Sequence, residues 1–238
     1  MKVAIITARG GSKRIPRKNI REFCGRPIIA YSVAAALQSG LFDEVMVSTD
    51  DLEIAEVARA HGAEVPFLRS PETSNDHATT ADVLLEVLER YTQNSRHIAI
   101  GCCIYPTAPL LQPRRLAEAL AVLEADSARS TAFPVTRFSY PIQRALRLKG
   151  AEVSLFQPEY RSIRSQDLEP AYHDAGQFYW FRAEPFRVSR TLMGPGAAAI
   201  ILPEEEVQDI DNEEDWTMAE IKYRLLNEPS REVKEDNA

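Results

Sequence analysis

The sequence predicts a three-layer α/β/α fold around a mostly parallel sheet. Three observations carry that expectation. Apolar, β-branched runs alternate with helix-period segments through the first 135 residues. The opening run, Lys2 to Thr7, is apolar on both sides of its pleat, as a strand covered on both faces must be. A glycine-bearing basic turn follows it directly, and open α/β sheets bind ligands outside the carboxyl ends of their strands.

The elements follow in order. After the first strand, Pro27 opens a helix through Gln38, with Ile28, Ile29, Tyr31, Ala35 and Leu37 available for packing and Gly40 as its stop. Glu44 to Ser48 is a second strand. Asp50 and Asp51 are placed to cap a helix over Leu52 to Ala60, which stops at Gly62. Glu64 to Leu68 reads as a further strand. Val83, Leu84, Val87, Leu88 and Tyr91 fall on one helical stripe. Ile98 to Tyr105 is the next strand, closed by Pro106-Thr107-Ala108-Pro109, and its adjacent Cys102 and Cys103 point to opposite faces. Leu116, Leu120 and Leu123 mark a helix over Arg114 to Ala125, and Thr131 to Val135 is again a strand.

The rhythm then breaks. Between Thr136 and Asp174, Pro141, Pro158 and Pro170 punctuate short β-like pieces at Ala145 to Leu148 and Val153 to Phe156. This reads as an insertion, about 136–174, in a domain spanning 1–226. Strands resume at Gln177 to Phe181 and Ala198 to Leu202. Within the former, the aromatics Phe178 to Phe181 fit core and interface packing. A last helix, Glu213 to Leu226, carries Trp216, Ala219, Ile221, Tyr223 and Leu226, and 227–238 reads as a polar, frayed tail.

Composition bounds the function. Hydrophobic residues make up 45% of the 238 and charged residues 26%, which excludes a disordered, collagenous or coiled-coil chain. No stretch approaches the ~18 uncharged apolar residues of a membrane span. The opening run is too short for a signal peptide, so a cytoplasmic protein without a membrane partner is expected. The three cysteines show no metal spacing and read as reduced thiols. The four histidines are scattered. A net charge of -7 does not favour nucleic acid as a partner. Yet Arg9, Lys13, Arg14, Arg17, Lys18, Arg21 and Arg26 stand against the single acid Glu22 over residues 9–26, a concentration suited to a compact anion.

The core of that segment is Ala8-Arg9-Gly10-Gly11-Ser12-Lys13-Arg14-Ile15-Pro16-Arg17-Lys18-Asn19. Gly10 and Gly11 are expected to adopt φ > 0 and let the backbone approach an anion, with successive N–H groups forming a nest. Arg9, Lys13 and Lys18 add charge where a triphosphate would lie. The segment is neither a Walker loop nor a GxGxxG dinucleotide turn. The competing reading is a solvated basic turn.

The stretch Ala8 to Asn19 resembles the nucleotide-binding signature of the CMP-sialic acid synthetases, the cytidylyltransferases that activate nonulosonic acids. The likeness runs to about Leu226 through Ser48-Thr49-Asp50-Asp51, Arg69 to Thr80, Pro106-Thr107-Ala108-Pro109 and Asp209-Ile210-Asp211. It implies a three-layer α/β/α nucleotidyltransferase (Rossmann-like) fold, CTP as donor, Mg²⁺, and a homodimer whose insertion reaches the partner subunit. Tyr105-Pro106-Thr107-Ala108-Pro109 stands where sialic acid enzymes carry Gln-Pro-Thr-Ser-Pro. His173-Asp174-Ala175-Gly176-Gln177 stands where they carry an Asn-Gly-Ala motif. Both departures resemble the pseudaminic acid branch. The implied reaction transfers CMP from CTP to the anomeric hydroxyl of pseudaminic acid, giving pyrophosphate. The alternatives are an N-acylneuraminate (sialic or legionaminic acid) cytidylyltransferase and a non-catalytic nucleotide-binding module.

The resemblance also implies roles. Arg9, Lys13, Lys18 and Asp211 serve catalysis. Ala8, Gly10, Gly11, Ser12, Asn19, Arg69, Thr79 and Thr80 bind the nucleotide. Tyr105, Thr107, Arg161, Arg164, His173, Asp174 and Gln177 bind the sugar, and Asp209 and Asp211 hold Mg²⁺. Several positions keep a second reading on residue chemistry alone. In an extended Asp209-Ile210-Asp211 both carboxylates face one way and can grip one divalent cation, but Asp211 could equally cap the helix near Glu213. Arg69 can donate to a pyrimidine carbonyl, or Thr79 and Thr80 can simply cap a helix beside an exposed loop. Arg161 and Arg164 either grip the sugar carboxylate in a bidentate fork or are solvated. Glu204, Glu205 and Glu206 read as a solvated loop.

Overall fold

The computed structural model describes residues 1–227; 228–238, most of the expected tail, lie outside the described residues. In chain order the elements are β1 (Lys2–Thr7), β2 (Glu22–Phe23), β3 (Arg26–Pro27), α1 (Ile29–Ser39), β4 (Glu44–Ser48), α2 (Leu52–Ala60), α3 (Pro71–Ser74), α4 (Thr80–Gln93) and β5 (Ile100–Ile104). There follow α5 (Pro113–Glu124), β6 (Thr131–Arg137), β7 (Leu146–Lys149), β8 (Glu152–Leu155), β9 (Tyr172–Asp174), β10 (Phe178–Arg182), α6 (Ala183–Ser189), β11 (Ala197–Leu202) and α7 (Glu213–Asn227).

The main sheet runs β4-β1-β5-β10-β6-β11. β1 is parallel to β4 and β5, and β11 is parallel to β6. β10 lies antiparallel between β5 and β6, so those two run the same way and the sheet is mostly parallel, as expected. One face packs α1, α2 and α5 over Ala4, Ile6, Cys102 and Trp180. The other packs α4 and α6 over Val3, Ile5, Cys103 and Phe181. The adjacent cysteines thus face opposite layers, and both are fully buried, free thiols. A third cluster ties the loop after β1 to α7 through Ile15, Phe23, Ile210 and Trp216.

Three expectations are corrected. Pro27 does not open the first helix: Glu22 pairs with Pro27 in a short hairpin, and Ile28 N–H still donates to the Arg21 carbonyl at 3.0 Å. The turn residues Cys24 and Gly25 both have positive φ (46° and 89°), the geometry that suits a two-residue hairpin. Glu64–Leu68 is not a strand but a single bridge, Met46 to Glu64. Pro66 has no N–H to continue the ladder, and the chain rejoins β4's line only at Arg69 N–H, 2.8 Å from the Thr49 carbonyl. Finally, Asp51 alone caps α2, accepting from Ile54 N–H at 3.0 Å, because Asp50 is turned to the loop after β1.

The segment about 136–174 leaves the layered body. β7 and β8 form a hairpin whose Leu146, Leu148 and Val153 are exposed. The chain returns as β9, antiparallel to the carboxyl half of β6, and bends at Gly176 (φ 64°) before entering the sheet as β10. That bend lies beside the end of β5, where Phe178 pairs with Ile104.

Candidate active site

The carboxyl ends of β1, β4 and β5 bring together the basic loop, Ser48 to Asp51, Arg69 to Thr80 and Tyr105 to Thr107. Two adjoining clefts of about 380 and 420 Å³ share Thr7, Arg9, Arg14 and Tyr105. The first also takes in Arg69, Thr79 and Thr80; the second takes in Ser12, Lys13, Lys18, Asn19 and Thr107.

The loop is shaped by carboxylates. Gly10 N–H donates to Asp50 Oδ1 at 3.0 Å, and a Cβ at Gly10 would stand 2.7 Å from Asp51 Oδ2. Gly10 is therefore required by close approach. The expected φ > 0 at Gly10 and Gly11 is corrected, since neither residue adopts it; Arg17 does, at 54°. A Cβ at Gly11 would meet nothing within 4 Å. Asn19 Nδ2 donates to the Arg9 carbonyl (2.8 Å), Ser12 Oγ to the Ile15 carbonyl (2.6 Å), and buried Ala8 N–H to the Ser48 carbonyl (3.0 Å).

The cations are paired with acids, although Lys13 and Arg14 stay exposed to solvent. Arg9 and Lys13 reach Asp76 at 3.1 and 2.5 Å. Arg17 pairs with Asp51 at 2.5 Å and also with Glu53, and its hydrogen bond draws the Asp51 carboxyl below the usual range. Arg14 pairs with Asp211 at 2.8 Å. Lys18 is half-buried and donates to the Ile210 carbonyl at 2.5 Å, between the two acids of the Asp209-Ile210-Asp211 run. Desolvation lowers its pKa, and Asp211 and then Asp209 oppose that.

Asp209 and Asp211 line a third cleft, about 420 Å³, while Ile210 between them is fully buried. The alternative role of Asp211 as a helix cap is removed. Asn212 Oδ1 accepts from Glu214 and Asp215 N–H at 2.8 and 3.0 Å, and Asp215 returns the bond to Asp211 and Asn212 N–H. The Asp211 carboxylate thereby faces the cleft, where it pairs with Arg14. Asp209 is solvent-exposed, yet the cleft wall desolvates its carboxyl and Asp211 repels it, so its pKa is raised. Among the described residues no group of three or more His, Cys, Asp or Glu could hold a metal. Two carboxylates fit Mg²⁺ only when it is shared with substrate phosphates, which is the usual way that ion is held.

Arg69 is buried, with Nε 3.1 Å from Ser48 Oγ and Nη2 2.6 Å from the Ser48 carbonyl, and burial lowers its pKa. Thr79 is the N-cap of α4 in a capping box with Asp82, while Thr80 lines the same cleft as Tyr105. His173 lines the acidic cleft, its Nδ1 2.9 Å from the Asp174 carbonyl. Asp174 accepts from Gly176 N–H at 3.0 Å and from the Tyr179 hydroxyl. Three expected sugar contacts are not brought to these clefts. Gln177 is buried, its Nε2 donating to the Glu206 carbonyl at 2.5 Å. Arg161 and Arg164 lie exposed in the excursion, Arg164 bound to Asp167 at 2.8 Å. Glu206 is not solvated either: it is buried against Arg115 (2.8 Å) and Arg114, two arginines from the start of α5. Sequence reasoning missed Asp76, which holds two loop cations; its place in the expected nucleotide segment Arg69 to Thr80 was the available signal.

Residues 3–190 match the sequence model of a family described as cytidylyltransferase. The chain is 42% identical over 230 residues to a pseudaminic acid cytidylyltransferase of Campylobacter jejuni, covering 95% of this chain and 97% of that one. It is 30% identical to a CMP-N,N'-diacetyllegionaminic acid synthase of Legionella pneumophila, covering 95% and 97%. Among solved structures, a CMP:2-keto-3-deoxy-manno-octonic acid synthetase complexed with CTP superposes with a TM-score of 0.68 at 21% identity, over 96% of this chain and 99% of that one. That likeness concerns the fold. No helix among the described residues is long and apolar enough to cross a membrane.

Proposed function

The chain belongs to the cytidylyltransferase family, and from that premise we propose that it transfers CMP from CTP to the anomeric hydroxyl of pseudaminic acid, releasing pyrophosphate. The observation that carries this reading is the meeting of the basic loop with Asp209 and Asp211 at Lys18. Cations for phosphates and acids for a divalent ion converge there from opposite ends of the chain.

In the reaction the sugar hydroxyl oxygen bonds to the α-phosphorus, the bond to the β-phosphate bridge breaks, and the hydroxyl proton departs. Such chemistry depends on positioning and neutralisation more than on covalent help. Arg9, Lys13 and Lys18 hold the phosphates. Arg69 and Thr80 line the cleft that takes cytosine and ribose. Asp209 and Asp211 would hold Mg²⁺, which when bound neutralises phosphate charge and lowers the pKa of a coordinated hydroxyl. Tyr105, Thr107 and His173 face the acceptor side.

The domain spans 1–226 with 136–174 inserted, and the protein works as a cytoplasmic homodimer. The free thiols are consistent with that compartment. The exposed Tyr140, Leu146, Leu148, Val153 and Phe156 of the excursion supply an apolar face for the partner subunit. The test is pyrophosphate release measured with CTP, Mg²⁺ and pseudaminic acid, omitting each in turn, with N-acetylneuraminic and legionaminic acids in parallel. Release that needs all three and is fastest with pseudaminic acid is expected. Faster release with another nonulosonic acid overturns the choice of sugar. CTP binding without release under any condition overturns the enzyme reading.

A further inference from the structure

We infer that Gln177 and Glu206 are positioning residues for the acid pair: together they fix the chain just before Asp209 and so set where its carboxylate stands. This rests on the proposed reaction, because it concerns the acids assigned there to Mg²⁺.

Between β11 and Asp209 the chain makes one short 3₁₀ turn, Glu204–Glu206, so its carbonyls draw on side chains from elsewhere. Thr136 of β6 donates to the Leu202 carbonyl at 3.0 Å, and Lys222 of α7 donates to the Glu204 and Val207 carbonyls at 3.1 and 2.7 Å. Gln177, at the entry to β10, donates from Nε2 to the Glu206 carbonyl at 2.5 Å. The Glu206 carboxylate is gripped by α5: Arg115 meets both its oxygens, at 2.8 and 3.0 Å, and Arg114 meets one of them. Gln177 and Glu206 are only 2% and 4% exposed, so neither can trade these bonds for water. Burying the Glu206 carboxylate costs desolvation that a solvated loop would not incur. A loop whose end must stay in place accounts for it.

Gln177 is the link between the two halves of the site. Its backbone carbonyl accepts from Tyr105 N–H at 2.9 Å, at the end of β5, where the two clefts around the basic loop share Tyr105. Its neighbour Gly176 lies against Asp209, since a Cβ there would stand 3.9 Å from Asp209 Cγ. One residue thus ties the end of β5, through its main chain, to the acid run, through its side chain. Asp211 has a further restraint in Arg14, whereas Asp209 forms no ion pair among the described residues. Asp209 therefore takes its position from the backbone, which is clamped at Glu206 before it and anchored by the fully buried Ile210 after it. Groups that orient metal-binding carboxylates without touching the ion still govern how tightly it is held.

The experiment measures CTP binding to the whole protein by calorimetry, without acceptor, in the presence and absence of Mn²⁺ as the probe ion. The Mg²⁺ dependence of pyrophosphate release is measured alongside. Gln177→Met keeps the length of the side chain but removes the donor. It should leave the metal-free CTP affinity unchanged and lose about 10-fold of the gain that Mn²⁺ confers on wild type. The Mg²⁺ concentration for half-maximal turnover should rise by a similar factor. Arg182→Met is the control, because it removes two side-chain bonds, to the Arg129 and Leu123 carbonyls at 3.0 Å, from the opposite end of β10. It should destabilise the fold yet keep the full Mn²⁺ gain, which separates positioning from general loosening. Should Gln177→Met not fold, Glu206→Gln, which keeps an acceptor for one arginine, takes its place and should lose at least roughly threefold of the gain. The inference is overturned if the variant keeps the wild-type gain, or if Arg182→Met loses as much. Wild type whose CTP binding gains nothing from Mn²⁺ overturns the metal role given to the acids in the proposed function, and this inference with it.

Discussion

The loop after β1 and the excursion between β6 and β9 solve opposite problems. In the loop, cations converge on one spot and must be kept apart and aimed. Asp50, Asp51, Asp76 and Asp211 do this from other segments, so the loop is fixed by long-range pairs before any anion arrives. Fixed donors of this kind need no reorganisation at the moment of reaction. In the excursion the ties are mostly local, such as Arg164 to Asp167, and large apolar side chains stay exposed. One region is tied down by distant acids; the other leaves an apolar surface exposed.

The sharpest way to break this contrast lies inside the loop. Lys18→Ala should cut kcat/KM by about 10³-fold, since it removes the desolvated ammonium that the proposed reaction sets on the phosphates. Arg21→Ala, which loses an exposed pair with Glu213 and a stack on Trp216, should change it by less than roughly threefold. Equal effects in steady-state assays would show that position in the loop does not matter. On the excursion, Leu148→Glu should weaken the proposed self-association by roughly 100-fold in sedimentation equilibrium, as it sets a charge on the apolar face proposed for the partner subunit. The melting temperature of the isolated subunit should move by no more than about 1 °C, and a larger fall would mean that the excursion packs on its own chain.

Smaller effects test the carboxylate frame. Gly10→Ala should cost about 1–3 kcal/mol in urea unfolding, because its Cβ displaces Asp51 from Arg17 and from the cap of α2. Gly11→Ala, with open space around its Cβ, should stay within about 0.5 kcal/mol. The smallest expected effect is on stability at Asp209. Its folded pKa is raised, so its contribution is favourable when protonated and is lost as pH rises through the folded pKa. Asp209→Asn should therefore raise the melting temperature at neutral pH, by about 1–2 °C given solvent screening, while depressing turnover. It should also remove the acidic limb of the kcat/KM profile, which in wild type lies above the usual carboxylate range. A melting temperature that falls would mean that Asp209 is a structural acid.

Much of this was legible beforehand, and the misses have local causes. Near-continuous apolar runs located β1, β4, β5 and β6, and the period-3.6 pattern located α2, α4 and α5, because a strand covered on both faces and a helix lying on a sheet each impose their own pattern directly. Pro66 broke an apolar run that otherwise reads as a strand. The Cys24-Gly25 turn hid a hairpin too short to show a period. The site was half legible: the basic loop and the Asp209-Ile210-Asp211 run both announced charge, but not their partners.

The sequence by itself determined the alternation of the layers, the concentration of cations after β1 and the acid pair near the last helix. Each is a property of residues within one turn or one strand. Tertiary structure decided which acid restrains which cation. Those pairings join side chains 34 or more positions apart, brought together at the ends of neighbouring strands. No local pattern encodes such meetings, because the energy that selects among them arises only once the sheet has set the distances.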